Sequence, residues 1–203
     1  MNAESAGTSL DYGPAHWETL YREGRMPWDA GGVPAEFSDY LSRHPGPGRA
    51  LVPGCGSAYE AAALAAAGFD TLALDFSPAA VERARDVTHG SGARVEVGDF
   101  FTVDEAKFDL IFERAFLCAL PPELRDDWMR QAVRLLAPGG QLVGLFFLRD
   151  TQGEGPPFGM EAAALDALLT PDFERIDDRP SSAPLPVFGD GERWQVWQRI
   201  SRD

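Results

Sequence analysis

Leu51-Val52-Pro53-Gly54-Cys55-Gly56-Ser57 is the stretch on which the fold turns. An apolar run enters a turn with two glycines, where backbone can come close to a ligand, and a helix-forming sequence leaves it. Asp75 stands about 20 residues on, at the end of the next apolar run, Thr71 to Asp75. In strand–turn–helix sites a carboxylate at that distance accepts from ribose hydroxyls. The pattern predicts a crevice for a nucleoside-bearing ligand at the carboxyl edge of a parallel sheet.

Outward from this stretch, apolar runs alternate with helical patterns. Arg49 to Val52 is the first strand, and Ser57-Ala58-Tyr59-Glu60 has capping-box spacing ahead of an Ala-rich helix that stops at Gly68. After the second strand, Ser77 and Pro78 predict an N-cap and first helical residue of a helix running to Thr88. Arg94 to Val97 and Phe108 to Glu113 are the next strands. Pro122 opens a helix with Leu124, Trp128, Ala132, Leu135 and Leu136 at helical spacing, and Ala137-Pro138-Gly139-Gly140 ends it. Leu142 to Leu148 is a fifth strand, Thr151 to Gly159 a Gly/Pro-rich loop, Met160 to Leu169 a helix, and Phe173 to Arg179 and Arg193 to Ile200 the last two strands. Val187-Phe188-Gly189-Asp190-Gly191 leaves little room for a crossover helix, so these two pair antiparallel. The expected architecture is α/β, a seven-stranded, mostly parallel sheet with a C-terminal antiparallel hairpin and helices on both faces. Residues 1–12 read as a flexible N-terminus and 13–203 as a single domain.

With 203 residues, of which 44% are apolar and 25% charged, the chain buries a full core as one unit. Its net charge of −14 repels phosphate backbones and anionic membranes, which argues against nucleic-acid and membrane partners and for a small-molecule substrate. Cys55 and Cys118 make no disulfide framework, no signal-peptide pattern opens the chain, and Leu142 to Leu148 is too short to span a bilayer. The expectation is a cytoplasmic protein.

The glycine turn has two readings. A dinucleotide fingerprint wants a third small residue to seat the pyrophosphate on the helix N-terminus, and Tyr59 stands there. S-adenosylmethionine has no phosphate and tolerates a bulkier turn. The chain resembles the class I S-adenosylmethionine-dependent methyltransferases with a Rossmann-like fold, and among them the thiopurine S-methyltransferase and halide/thiol methyltransferase family. The resemblance lies in Trp17-x3-Tyr21 with Met26-Pro27-Trp28-Asp29, Leu51 to Gly56, Leu74-Asp75-Phe76-Ser77, Gly98-Asp99-Phe100-Phe101, Phe108-Asp109-Leu110-Ile111-Phe112, Phe116-Leu117-Cys118-Ala119 and Gly155-Pro156-Pro157-Phe158, in the same order.

The resemblance implies S-adenosylmethionine as cofactor and a site for it. Gly54, Cys55 and Gly56 would present main chain to the amino-acid end, Asp75, with Phe76 beside it, would take the ribose hydroxyls, and Asp99 and Phe100 the adenine. Phe101 reads as core. Residues 13–45 would cover the cofactor mouth, with Trp17, Tyr21 and Trp28 offering aromatic faces to the sulfonium, against the alternative that these rings only pack on the sheet edge. The family resemblance also leans toward a monomer.

His16, His44 and His89 occupy loops or terminal positions and are assigned no role as a base, and no metal site is read. A thiol, bisulfide, thiocyanate, halide or thiopurine-like acceptor that arrives anionic needs no base, and its charge cancels against the sulfonium in a dry pocket. Arg114 departs from the halide/thiol branch and matches the thiopurine branch. It either positions an anionic acceptor beside the cofactor or forms an internal ion pair with Glu113 or Asp99. Cys55 and Cys118 are given no chemical role. Three other functions remain open at this point: an O- or N-methyltransferase, a nicotinamide-dependent oxidoreductase, and a non-catalytic cofactor-binding protein.

Overall fold

Strand β1 (Gly48–Pro53) carries the glycine turn at its carboxyl end and is buried from Ala50 onward. In this computed structural model, which describes residues 12–151 and 155–201, β1 lies at the centre of a seven-stranded sheet. It pairs in parallel with β2 (Phe69–Asp75) on one side and with β4 (Phe108–Arg114) on the other. β3 (Arg94–Val97) extends the sheet beyond β2, and β5 (Leu136–Phe147) beyond β4, both in parallel. β7 (Glu192–Arg199) runs antiparallel to β5, and β6 (Phe173–Pro180) antiparallel to β7, so the strand order is β3-β2-β1-β4-β5-β7-β6. The chain winds outward from β1 to β3 and then returns to β4. Its topological switch point therefore lies between β1 and β4, where open α/β sheets form their ligand crevice.

Alternate strand residues feed two apolar layers, as a period of two requires when both faces are covered. One layer joins Leu51, Leu72, Ile111, Leu142 and Trp197 to α5 (Arg125–Leu135) through Trp128, Ala132 and Leu135, and to α6 (Ala162–Leu169) through Leu165 and Leu169. The other joins Ala50, Val52, Ala73, Phe112 and Trp194 to α2 (Ala35–Arg43), α3 (Tyr59–Ala66) and α4 (Pro78–Thr88). Phe37 of α2 packs 4.2 Å, centroid to centroid, from Phe112. Removing such a buried ring typically costs about 3–5 kcal/mol.

Local sequence chemistry holds at some element ends and yields at others. Ser77 caps α4 as expected, its Oγ accepting from the Ala80 N–H at 3.1 Å with Pro78 in the first turn. The capping box expected at Ser57 and Glu60 is absent. α3 starts at Tyr59 behind Ala58 in the left-handed region (φ 59°), no side chain caps it, and the Ser57 hydroxyl bonds Asp29 Oδ2 at 2.5 Å instead. Strand β5 begins at Leu136 rather than Leu142, because the pairing register slips between Phe108 and Leu110 and accommodates Ala137-Pro138-Gly139-Gly140 as a bulge. The segment 13–45 also divides. α1 (Pro14–Arg22) lies over the carboxyl edge of the sheet, whereas α2 is a core helix whose Phe37, Tyr40 and Leu41 are buried against the sheet face. Of the expected N-terminal segment 1–12, residues 1–11 lie outside the described residues.

Candidate active site

At the switch point a cavity of about 1010 Å³ opens between the glycine turn and the N-terminal segment. That is at the upper end of the range for small-molecule sites, enough for two ligands side by side. Gly54 (φ 56°) and Gly56 (φ 51°) both adopt left-handed backbone, and a Cβ on Gly54 would stand 2.5 Å from Phe116 Cδ2. No side chain fits there, so the turn shows bare backbone to the cavity. Asp75 fixes the turn from below, its Oδ2 accepting from the Gly56 N–H at 3.2 Å and its Oδ1 from the Ser77 N–H at 2.9 Å. Burial raises the Asp75 carboxyl to about 6 despite these two bonds. A carboxylate has about four acceptor positions, so Asp75 retains capacity toward a ligand.

The roof is aromatic. Trp28 meets Trp17 edge to face at 5.3 Å and Tyr21 at 5.8 Å, and all three rings line the cavity, so Trp17, Tyr21 and Trp28 come together there. Such ring pairs contribute about 0.5–1.5 kcal/mol each beyond their area. Two carboxylates fasten this roof. Glu18 accepts from Ser77 Oγ at 2.6 Å and from the Ala79 N–H at 3.0 Å, at the N-terminus of α4. Those bonds, led by that of Ser77, hold its carboxyl below the ordinary range. Asp29 accepts from Ser57 and, through Oδ1, from the Gly31 N–H at 2.8 Å. Tyr21 Oη lies 3.0 Å from where a Cβ on Gly56 would be, so the roof touches the turn. Burial, reinforced by the Asp75 charge, drives the Tyr21 phenol well above its usual range.

Cys55, Phe76, Asp99 and Arg114 also line the cavity, but Phe100 does not. Asp99 Oδ1 accepts from the Phe101 N–H at 2.9 Å and starts a 3-10 turn over Phe100–Thr102. That turn points Phe100 into the core, where it is 2% exposed, and Phe101 into the cavity. The expected place of Phe100 at the adenine is thus not borne out, whereas Phe101 packs against the core as expected and also reaches the cavity. Arg114 pairs neither with Glu113 nor with Asp99. Its Nε lies 3.1 Å from Glu192 Oε1 at the start of β7, and Glu192 Oε2 accepts from the Leu185 N–H at 3.0 Å. Glu113 points to the other face of β4 and accepts from the Leu117 N–H at 3.0 Å. Burial raises its carboxyl to about 8.

Sequence reasoning passed over Glu18 and Glu192, and did not place Glu60 or His16 at the cavity. Glu192 lies 78 residues from Arg114, and nothing local announces the pair. Glu60, read as a capping residue, lines the cavity instead, and so does His16, whose ring sits edge to face between Tyr12 and Trp17. Pro156 and Pro157 also reach the cavity, so the Gly155–Phe158 loop forms part of its wall.

The profile of the thiopurine S-methyltransferase family matches residues 12–183. The chain belongs to this family. Among its relatives, a probable thiol methyltransferase 2 of Arabidopsis thaliana is 36% identical over 167 residues, covering 79% of this chain and 74% of its own. Thiocyanate methyltransferase 1 of the same plant is 30% identical over 193 residues, covering 91% and 85%. A thiopurine S-methyltransferase of Azotobacter vinelandii is 31% identical over 193 residues, covering 81% and 84%. As a member of the thiopurine S-methyltransferase family, the chain is a methyltransferase. Solved structures bear out the fold. A Burkholderia thailandensis 1,6-didemethyltoxoflavin-N1-methyltransferase, crystallised with S-adenosylhomocysteine, superposes with a TM-score of 0.73 at 20% identity over 93% of this chain and 87% of its own. A TehB-like methyltransferase from Corynebacterium glutamicum gives 0.66 at 21% identity over 92% and 100%. No helix among the described residues is long and apolar enough to cross a membrane.

Proposed function

We propose that this methyltransferase uses S-adenosylmethionine to methylate a small soft nucleophile: a thiol, bisulfide, thiocyanate, a halide or a thiopurine-like acceptor. The observation that carries the reading is the roof of Trp17, Tyr21 and Trp28, which reaches the bare glycine turn through Tyr21 and shares one cavity with Asp75. The residues fit the cofactor. Gly54 leaves main chain bare of any side chain where an amino-acid end needs it, the Gly56 N–H being held by Asp75, and Asp75 keeps acceptor capacity for ribose hydroxyls. Asp99 suits the adenine amine and Phe101, in place of Phe100, the adenine face.

When bound, the cofactor supplies a methyl group on a cationic sulfur. The chain's own task is to orient, to desolvate and to place charge. The roof rings offer electron-rich faces to a sulfonium and exclude water from the space between turn and lid. Arg114, its charge partly offset by Glu192, stands at the end of β4 as a buried cation lining the cavity, available to an incoming anion. An acceptor that arrives ionised needs no proton removed, so neither His16 nor a metal is required of the site. The net charge of −14 favours a freely diffusing small acceptor over a nucleic acid, with the protein acting as a cytoplasmic monomer.

The test is transfer from labelled S-adenosylmethionine to a panel of thiols, bisulfide, thiocyanate, iodide and a thiopurine, run beside hydroxyl and amine compounds. Product with sulfur or halide acceptors is expected. Transfer only to hydroxyls or amines, or to nothing, would overturn the reading.

A further inference from the structure

Of the cavity-lining carboxyls to which the preceding roles assign nothing, Glu60 is buried whereas Glu123 is exposed at the rim. Glu60 lies in the first turn of α3, four residues beyond Gly56, and is 9% exposed. The hydrogen bond to its carboxyl comes from its own backbone N–H, which leaves most of its acceptor positions open. We propose that Glu60 is the seat for a protonated primary amine, that of the amino-acid end of the bound nucleoside; this rests on the cofactor reading above.

The surroundings of Glu60 are short of positive charge. From β4, Arg114 faces it, but that guanidinium is already paired with Glu192. The roof loop brings Asp29, occupied by Ser57 and Gly31, and the glycine turn brings the Cys55 thiol. Three carboxyls thus share one buried cation; Arg25, which also lines the cavity, is exposed and paired with Glu23. A carboxyl so placed is costly to ionise unless a ligand brings a cation, and burial holds Glu60 up to about 7. Of the two cationic centres in S-adenosylmethionine, a sulfonium has no hydrogen to donate and suits the ring faces of the roof. An ammonium carries three donors and suits a carboxylate with free acceptor positions. Glu60 also stands beside the turn whose open backbone serves the amino-acid end.

Two ligands isolate the effect in calorimetry: S-adenosylhomocysteine, and 5′-methylthioadenosine, which keeps the nucleoside and thioether but lacks the amino acid. Asp75 contributes alike to both because both carry the ribose, so the difference between them reports Glu60. In the unaltered protein, S-adenosylhomocysteine should gain about tenfold in affinity over methylthioadenosine between pH 5.5 and 7.5, with a proton released to the buffer on binding. Glu60→Gln should weaken S-adenosylhomocysteine by about ten- to hundredfold at pH 7.5 and change methylthioadenosine by no more than about twofold. Equal losses for both ligands in Glu60→Gln, or no difference in pH dependence between the ligands in the parent, would overturn the assignment. The parent measurement needs no variant and decides the matter even if Glu60→Gln folds poorly. A parent that binds neither nucleoside would overturn the cofactor reading itself, whereas a parent that binds both and a Glu60→Gln protein that matches it would sink the amine seat alone.

Discussion

Arg114 and Glu192 illustrate how a single buried pair carries two burdens at once. Their side chains are 9% and 0% exposed, so neither charge is relieved by water. Arg114→Ala leaves Glu192 with only the Leu185 N–H as partner, and such an orphaned buried carboxylate costs about 3–5 kcal/mol. The double change Arg114→Met with Glu192→Gln removes both charges and should recover most of that loss in urea unfolding. If Arg114 also holds the acceptor, the double variant regains stability while its KM for thiocyanate stays at least about tenfold above the parent's. Full recovery of both quantities would reduce the arginine to a structural role. Residue-scale detail of this kind was only half legible. Gly54, Gly56 and Asp75 follow from spacing because a strand–turn–helix unit is local, whereas the Glu192 partner arrives by way of the antiparallel hairpin. Phe100 leaves the cavity to Phe101 because a 3-10 turn sends neighbouring side chains about 120° apart, and composition does not say which one faces wholly inward.

Helix α1 shows at the next scale what a lid without a core looks like. None of its residues is fully buried, and it is held down by the edge-to-face rings and by Glu18 on the first turn of α4. There Ser77 and Glu18 share the open N–H groups of α4, Ser77 taking Ala80 and Glu18 taking Ala79, where a carboxylate also meets the positive end of the helix dipole. Glu18→Ala should therefore loosen α1 and leave the sheet intact. Hydrogen exchange is expected to speed up over residues 14–22 alone, S-adenosylhomocysteine binding to weaken several-fold, and the thermal midpoint to move little. An unchanged exchange pattern, or a loss of protection in β1 and β4, would contradict this account of the lid. The strands β1, β2 and β4 were readable because buried apolar runs leave few alternatives. The N-terminus of α3 was not, since Ser57 had a tertiary partner in Asp29 that outbid the local capping pattern. α2 was absorbed into the covering segment although Phe37, Tyr40 and Leu41 already carry helical spacing, because periodicity shows an apolar face but not what it packs against.

Over the whole molecule, the site leaves its mark on the pH dependence of stability. Burial raises Glu60 to about 7, Asp75 to about 6 and Glu113 to about 8, while in the unfolded chain such carboxyls ionise near pH 4. Between about pH 4 and 8 the folded protein therefore holds protons that the unfolded chain has lost, and stability must fall as pH rises through that window. Self-repulsion at a net charge of −14 acts in the same direction. At the acid end the opposite group takes over. Glu18, Glu36, Glu105 and Asp178 have carboxyls held low by hydrogen bonds and ion pairs, so their contribution is present above about pH 4 and is lost as they protonate below it. The ligand-free protein should thus be most stable near pH 5, with a midpoint about 5–10 °C lower at pH 8.5 than at pH 5.5, corresponding to a few kcal/mol in a chain of this length. Glu113→Gln keeps an acceptor for the Leu117 N–H and removes a titrating group that does not line the cavity. Calorimetric scans of this variant should match the parent at pH 5.5 and exceed it at pH 8.5. A parent midpoint that is flat or rises toward pH 8.5 would mean that the buried carboxyls are ionised in the folded state, and with it the pocket would lose the charge deficit on which the amine seat at Glu60 depends.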